Sequence, residues 1–406
     1  MKGIIIQKFG GTSVASVTGW RALAEKVKEV VNEGKNPVLV VSAMGRRPAP
    51  YATDTLLSLI NSYSDQDCKE EKDMLMACGE IISTVVVSHF LRSLGLQAEA
   101  FDGAKAGISA EGQYGEARIN SIDPSRILKS LSEGKIPVIA GFQGINAQGE
   151  IVTLGRGGSD TTAVAIGAAL QAERVDIFTD VEGIMTADPR LVDTSKVMDN
   201  ISYMEIGEMA NEGAKVLHPR SVDISQTHNL PLRVRSTFSN FHGTDVVADV
   251  PIADRPLQKE RLVTGVVSVA GYVMLDIELN EGSNLPERRL NVFEALAKAM
   301  LSLDMINITA NRICCLIKSS ELNTAKKLLE SMQYSFSMRL GCGKISIVGQ
   351  AMRGQPGVMM RLCRALNSRG VELYYSTDSH ITISAVVPES KLALAAQALH
   401  SEFGLD

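Results

Sequence analysis

Apolar runs and amphipathic stretches alternate along the first 240 residues. Gly3–Phe9 is a near-continuous apolar run, the pattern of a strand buried on both faces, and Gly10-Gly11 ends it. Ser16–Glu33 repeats apolar residues at helical spacing, and Asn36–Ser42 (NPVLVVS) is a second buried strand. Ala43–Asp54 is rich in Pro, Gly and Arg and reads as a loop, after which helical spacing dominates from Thr55 to Leu94. Leu96–Phe101 and Ile136–Ala140 read as short strands, the latter preceded by a helix at Pro124–Glu133. From Ile151 a short strand breaks at Gly155-Arg156-Gly157-Gly158-Ser159-Asp160, an Ala-rich helix runs over Thr161–Ala172, and Arg174–Thr179 is again apolar. This alternation predicts an α/β domain over residues 1–240, with a mostly parallel sheet and helices on both faces.

The pattern changes after about Pro251. Two segments of like layout begin near Val292 and Val358, each reading helix, strand, turn, strand, helix. Each follows a further strand, Tyr272–Leu279 or Lys344–Val348. An internal repeat of a small α+β βαββαβ unit accounts for both. The expected layout is a domain at 1–240, a linker at 241–260, and two modules at 261–340 and 341–406, with strands shared between the modules.

Composition narrows the function. With 45% hydrophobic and 21% charged residues the chain is globular, and a formal net charge of −5 gives no electrostatic case for nucleic acid or an anionic membrane. No uninterrupted apolar run reaches the roughly 18 residues of a membrane helix. The N-terminus reads as a first strand and not a signal peptide. Six cysteines without paired spacing read as reduced thiols of a cytoplasmic protein. The histidines show no metal-ligand spacing, so no protein-held metal site is expected, and no GxSxG elbow is present.

The candidate chemistry lies at two glycine-rich turns. Gly155–Asp160 places two glycines, an Arg, a hydroxyl and a carboxylate at a helix start, an anion-binding arrangement of backbone N–H groups and helix dipole. The structural alternative is an N-cap by Ser159 or Asp160 with no ligand. Lys8-Phe9-Gly10-Gly11-Thr12-Ser13 offers a point charge and a tight turn, but is neither a P-loop nor a GxGxxG fingerprint. Glu80, in Cys78-Gly79-Glu80, looks by itself like a solvated helix residue, and Ser42 and Thr53 look like turn residues.

Together these stretches resemble the aspartokinase family, which has the amino-acid-kinase fold. The matching pieces are QKFGGTSV, VVSAMG, CGE, VIAGFQG, TLGRGGSDTTAVA, TDVEGIMTADPR, GAKVLHPR and PLRVRS, in the family's order. The tail resembles the family's paired ACT regulatory modules, most clearly in GQAMRGQPGV and ALHSEFGLD. The resemblance implies phosphoryl transfer from ATP, with Mg²⁺, to the β-carboxylate of L-aspartate. That reaction is the first step of lysine/diaminopimelate, threonine and methionine biosynthesis. It further implies feedback by lysine, threonine or meso-diaminopimelate, and a homodimer or higher assembly through the ACT modules.

Carried over by position, Lys8 neutralises the transferred phosphoryl group, and Gly10 and Gly11 present backbone donors to it. Phe9, Thr12 and Ser13 complete that nucleotide-side turn. Asp160 orients Lys8 and the metal-bound phosphates. Arg156 holds the substrate α-carboxylate and Glu80 its ammonium, with Ser42, Thr53, Gly157, Gly158 and Ser159 adding hydrogen bonds. Thr179, Asp180, Met185, Asp188, Arg190, Lys215 and Val216 line the ATP site. Met185 stands where the family often has Tyr, and GRRPAPYATDT resembles the branch inhibited by meso-diaminopimelate. A non-catalytic amino-acid sensor is the alternative of another class, and intact Lys8, Glu80, Arg156 and Asp160 argue against it.

Overall fold

The computed structural model describes residues 3–61, 68–214, 216–248, 262–279, 284–352 and 354–406. They form two compact units. The first contains the residues up to Ile184, with Val197–Ala210 and the segment ending in the last strand below. The second contains Met185–Lys196, Asn211–Ala214 and the described residues from 262 onward, so two short pieces of the 1–240 span pack with the C-terminal unit.

In the first unit the chain runs β1 (Ile4–Phe9), α1 (Val17–Asn32), β2 (Asn36–Val41), α2 (Thr53–Asn61), α3 (Lys69–Ser93) and β3 (Ala98–Phe101). There follow β4 (Ile108–Glu111), β5 (Arg118–Ile122), α4 (Ser125–Ser132), β6 (Ile136–Ala140), β7 (Gln143–Ile145), β8 (Ile151–Thr153), α5 (Gly158–Ala169) and β9 (Arg174–Thr179). It ends with β10 (Asn200–Ser202), α6 (Tyr203–Asn211), α7 (Pro219–Thr227), β11 (Leu232–Ser236) and β12 (Thr244–Val247). The main sheet has eight strands in the order β10-β12-β11-β9-β1-β2-β6-β3, parallel except where β11 meets β12. β12 therefore belongs to this sheet, inside the stretch read as linker; the remainder of that stretch, from 249, lies outside the described residues.

The sheet is buried on both faces, which is why its central strands read as apolar runs. Phe9, Leu39, Val41 and Phe178 pack on α1 and α3 through Leu23, Ala24, Val27, Val87 and Leu91. On the other face α5 comes close at Gly167, where a Cβ would lie 2.9 Å from Val175 and 3.3 Å from Ile6. By length and composition α3 would suit a bilayer, but here it is a core helix with Asp73, Glu80, Ser83, Thr84 and Ser88 buried. A second sheet, β5-β4-β7-β8, was not read from sequence pattern apart from β8, and neither were β10, β11 and β12 of the main sheet.

The second unit contains β13 (Gly265–Glu278), α8 (Leu285–Lys298), β14 (Asp304–Ile308), β15 (Arg312–Lys318), α9 (Leu322–Ser331) and β16 (Ser335–Val348). It continues through α10 (Val358–Ser368), β17 (Tyr375–Asp378), β18 (Thr382–Pro388) and α11 (Leu392–Glu402). One antiparallel sheet, β14-β15-β13-β16-β18-β17, carries both repeats. The two 14-residue strands β13 and β16 are shared. Tyr272–Glu278 pairs with Ser335–Cys342 under α8 and α9, and Gly265–Val269 pairs with Lys344–Val348 under α10 and α11. Ala187 and Val192, from the Met185–Lys196 piece, join the second of these cores.

Candidate active site

Alternation along β1 sends Phe9 and Lys8 to opposite faces of the sheet. Phe9 stacks on Phe178 with centroids 4.6 Å apart, in the core under α1 and α3. Lys8 points to the α5 side, where its Nζ lies 2.6 Å from Asp160 Oδ1. The turn after β1 divides its work. Gly10 N–H donates to Phe178 O at 3.3 Å, while Gly11 faces a cavity and its carbonyl accepts from Gly45 N–H at 3.0 Å. A Cβ at Gly11 would lie 2.9 Å from the carbonyl oxygens of Ala43 and Gly45, so only glycine lets the two loops approach this closely. Ser13 is fully buried, with its hydroxyl 2.6 Å from Thr237 Oγ1.

The second turn leaves β8 at Thr153. Leu154 N–H donates to Phe142 O at 2.9 Å, and Arg220 donates to Leu154 O at 3.1 Å. Gly155 (φ 72°) and Gly157 (φ 68°) both take left-handed backbone. Gly157 is the N-cap of α5 and no side chain caps that helix. Ser159 and Asp160 therefore sit in its first turn and are not consumed as caps, which removes the structural alternative for this turn. The α5 N-terminus and the exposed guanidinium of Arg156 face the same cavity.

The third element is Glu80, on α3. Its carboxylate is buried, and Oε1 accepts from Ala43 N–H at 3.0 Å. Oε2 is buried without a partner. Burial pushes this carboxyl up to about 8, only partly offset by the Ala43 hydrogen bond. A buried carboxyl with one oxygen unsatisfied is costly to ionise by itself and suits an incoming cation.

These elements enclose a cavity of about 270 Å³. Ten residues expected from sequence line it: Lys8, Gly11, Ser42, Thr53, Glu80, Arg156, Gly157, Gly158, Ser159 and Asp160. Sequence reasoning missed Arg46, exposed on the loop after β2, and Phe142, which had no signal beyond the VIAGFQG run. With Lys8 and Asp160 paired and Glu80 inclined to be neutral, Arg46 and Arg156 leave the cavity positive, which suits an acidic amino acid beside phosphate.

The amino acid kinase family profile matches residues 3–236, and an ACT domain profile matches residues 337–401. Aspartokinase 1 of Bacillus subtilis is 41% identical over 404 residues, covering 99% of both chains. An aspartokinase of Geobacillus stearothermophilus is 39% identical over 412 residues, covering 99% of this chain and 98% of its own. The chain belongs to the aspartokinase family. Among solved structures, E. coli aspartokinase III in complex with aspartate and ADP superposes with a TM-score of 0.78 at 25% identity, covering 98% of this chain and 99% of that one. The same enzyme with lysine and aspartate gives 0.73 at 25% identity and the same coverage.

Against the family's expected site, several positions fall outside the cavity. Phe9, Gly10 and Ser13 hold the β1 turn as described, and Thr12 is half-buried within it. Thr179 ends β9 at the carboxyl edge of the sheet, beside Ser236, and its hydroxyl donates to Asp180 at 3.1 Å. Met185, Asp188 and Arg190 belong to the second unit, where Arg190 and Asp188 form a 2.7 Å ion pair. Val216 is half-buried, and Lys215 lies outside the described residues. Among the described residues no group of three or more His, Cys, Asp or Glu is arranged to hold a metal. A Mg²⁺ carried on nucleotide phosphates fits this donor set, since it needs only one or two protein carboxylates, and of the two carboxylates lining the cavity Asp160 is the one that would hold it.

Proposed function

We propose that the chain transfers the γ-phosphoryl group of ATP to the β-carboxylate of L-aspartate, giving 4-phospho-L-aspartate. The observation that carries this reading is the opposition, in one cavity, of a buried carboxylate with a free oxygen and an exposed guanidinium, Glu80 and Arg156. That pair matches the ammonium and carboxylate of an α-amino acid, and the Lys8–Asp160 pair adjoins it. The aspartate and ADP in the complex of E. coli aspartokinase III support the same substrates.

The substrate is its own nucleophile. A free carboxyl with a pKa of about 3.9 is ionised at neutral pH, so no general base is required. The β-carboxylate oxygen bonds to the γ-phosphorus as the bond from phosphorus to the β,γ-bridging oxygen breaks and ADP leaves. Mg²⁺, bound through the phosphates, would neutralise charge on them. The protein's task is alignment and charge stabilisation: Lys8 at the transferred group, Gly11 and the α5 N-terminus as donors, and Arg156 and Glu80 as anchors. The acyl phosphate product is labile to water, and the loop expected at Ala43–Asp54, which ends where α2 begins at Thr53 and donates backbone N–H groups to Gly11 O and the Glu80 carboxylate, is placed to close the site. Equal hydrogen-exchange protection of that loop with and without both substrates would contradict closure.

Regulation belongs to the same proposal. The shared six-stranded sheet ends in edge strands β14 and β17, which invite pairing with a second copy, and an effector amino acid would bind at such an ACT interface. Lysine in the E. coli aspartokinase III complex supports an amino-acid effector. Among lysine, threonine and meso-diaminopimelate, the GRRPAPYATDT loop favours the last. The product would feed lysine/diaminopimelate, threonine and methionine biosynthesis. ADP release measured with L-aspartate, L-glutamate and carbamate, each with and without the three effectors, tests the whole reading. Turnover of L-aspartate alone, suppressed by one effector, is expected. Aspartate binding without turnover would bring the sensor alternative forward.

A further inference from the structure

Helix α3 presents two carboxylates on one face. Glu80 lines the cavity, and Asp73 lies two turns earlier, roughly 10 Å along the axis. Asp73 is 1% exposed. Its Oδ2 accepts from Thr153 N–H at 2.6 Å and from Gly115 N–H at 2.9 Å. Thr153 ends β8, so Arg156 follows it by three residues. Gly115 touches the same turn from the other side, since a Cβ at Gly155 would lie 2.9 Å from Gly115 O. A second tie joins the same helix face to the neighbouring strand: Gln143 Nε2, on β7, donates to Ala77 O at 3.1 Å.

We infer that Asp73 is a positioning residue for the acidic amino-acid substrate, fixing the spacing between the Glu80 and Arg156 anchors. This rests on the proposed binding of L-aspartate between those anchors. Burying a carboxylate is unfavourable unless strong hydrogen bonds satisfy it. Here both backbone bonds are made to the segments flanking the turn that delivers Arg156. The ammonium and α-carboxylate of the substrate hang on one carbon, so their separation is fixed, and a turn free to drift from α3 breaks the match. The Lys8–Gly11 turn is held independently, through Phe178 and Gly45. The loss therefore falls on the amino acid and spares the nucleotide.

Asp73→Ala is the decisive variant, because it removes the one oxygen, Oδ2, that accepts from both Thr153 and Gly115. We expect the KM for L-aspartate to rise about tenfold or more, as loss of a charge-assisted hydrogen bond predicts. The KM for ATP should stay within about twofold, since no ATP contact is altered. Hydrogen exchange at residues 153–157 should accelerate while α1 and β2 keep their protection. Asp73→Asn, whose amide oxygen can stand where Oδ2 does, should show the same split with a smaller shift. An unchanged KM for L-aspartate in folded Asp73→Ala overturns the inference, as does a parallel rise in both KM values. Should the unaltered protein fail to phosphorylate L-aspartate, the functional proposal falls, and exchange at 153–157 still decides whether Asp73 holds the turn: unchanged exchange overturns it.

Discussion

Lys8 Nζ and Asp160 Oδ1 lie 2.6 Å apart, across the gap between the end of β1 and the first turn of α5. Both side chains are largely buried, so the pair keeps its strength against solvent screening. In the proposed phosphoryl transfer Asp160 would aim the ammonium at the phosphoryl position, and removing either partner would cost transition-state stabilisation. Lys8→Met should lower kcat by about 10²–10³-fold, the size expected for one preorganised charge. Asp160→Asn should also lower kcat, with the KM for L-aspartate changed less than kcat. Steady-state kinetics check both, and a Lys8→Met enzyme with normal kcat would exclude Lys8 from the chemistry.

Glu80 couples binding to protons. Its carboxyl is raised from 4.5 to about 8 by burial, so the free protein holds it mostly neutral at neutral pH. The ammonium of L-aspartate favours the charged form, so binding should release a proton. The KM for L-aspartate should fall as pH rises from about 6 towards the Glu80 value and then level off. Calorimetric titration in two buffers of different ionisation enthalpy reads the proton directly. Glu80→Gln should abolish the buffer dependence, and a buffer-independent enthalpy in the unaltered protein would contradict this role.

The same shift has a stability consequence of defined sign. Between 4.5 and about 8 the folded chain binds a proton that the unfolded chain has released. Stability therefore declines as pH rises through that window. Glu80→Gln should flatten that part of the curve in denaturant titrations, and an unchanged slope would show that Glu80 does not carry it.

Arg156 offers a planar fork to a carboxylate, which a lysine ammonium does not reproduce. Arg156→Lys should weaken L-aspartate binding by about 1.5–3 kcal/mol while retaining the charge. Arg156→Ala should do little worse. Full rescue by lysine would mean that the cavity needs only a positive charge there.

Gly157 stands at φ 68°, and a Cβ on it would lie 2.2 Å from the His218 ring. Gly157→Ala should cost about 1–3 kcal/mol from the backbone alone and displace the α5 N-terminus further through the clash. Thermal melting and kcat/KM should both fall. Adding His218→Ala should recover little, because the His218 Cβ itself lies 2.3 Å from the added Cβ, and a silent Gly157→Ala would show that the turn adapts freely.

The sequence made part of this legible. β1, β2, β6 and β9 are buried on both faces and so read as mostly apolar runs, and α1 shows one apolar face. Strands β4, β5 and β7 were not legible, because ISAE, RINSI and QGI are short, partly polar and paired through distant segments. Helix α5 begins at Gly158, ahead of the expected Thr161, because a left-handed glycine caps it where a hydroxyl or carboxylate cap was anticipated. Phe9, Gly10 and Ser13 belong to a binding turn in sequence, yet pleating and a buried hydroxyl pair direct them away from the cavity. Asp73 and Glu80 look alike in a helical stretch; only the packing of α3 shows that one bonds a turn and the other lines the cavity.

The measurement closest to the central claim is hydroxylamine trapping of the product formed from ATP and L-aspartate. The account predicts ATP-dependent β-aspartyl hydroxamate, lost in Lys8→Met and reached only at much higher L-aspartate in Arg156→Lys. ATP turnover that yields no β-hydroxamate, or the same yield from Arg156→Lys at low L-aspartate, would contradict it.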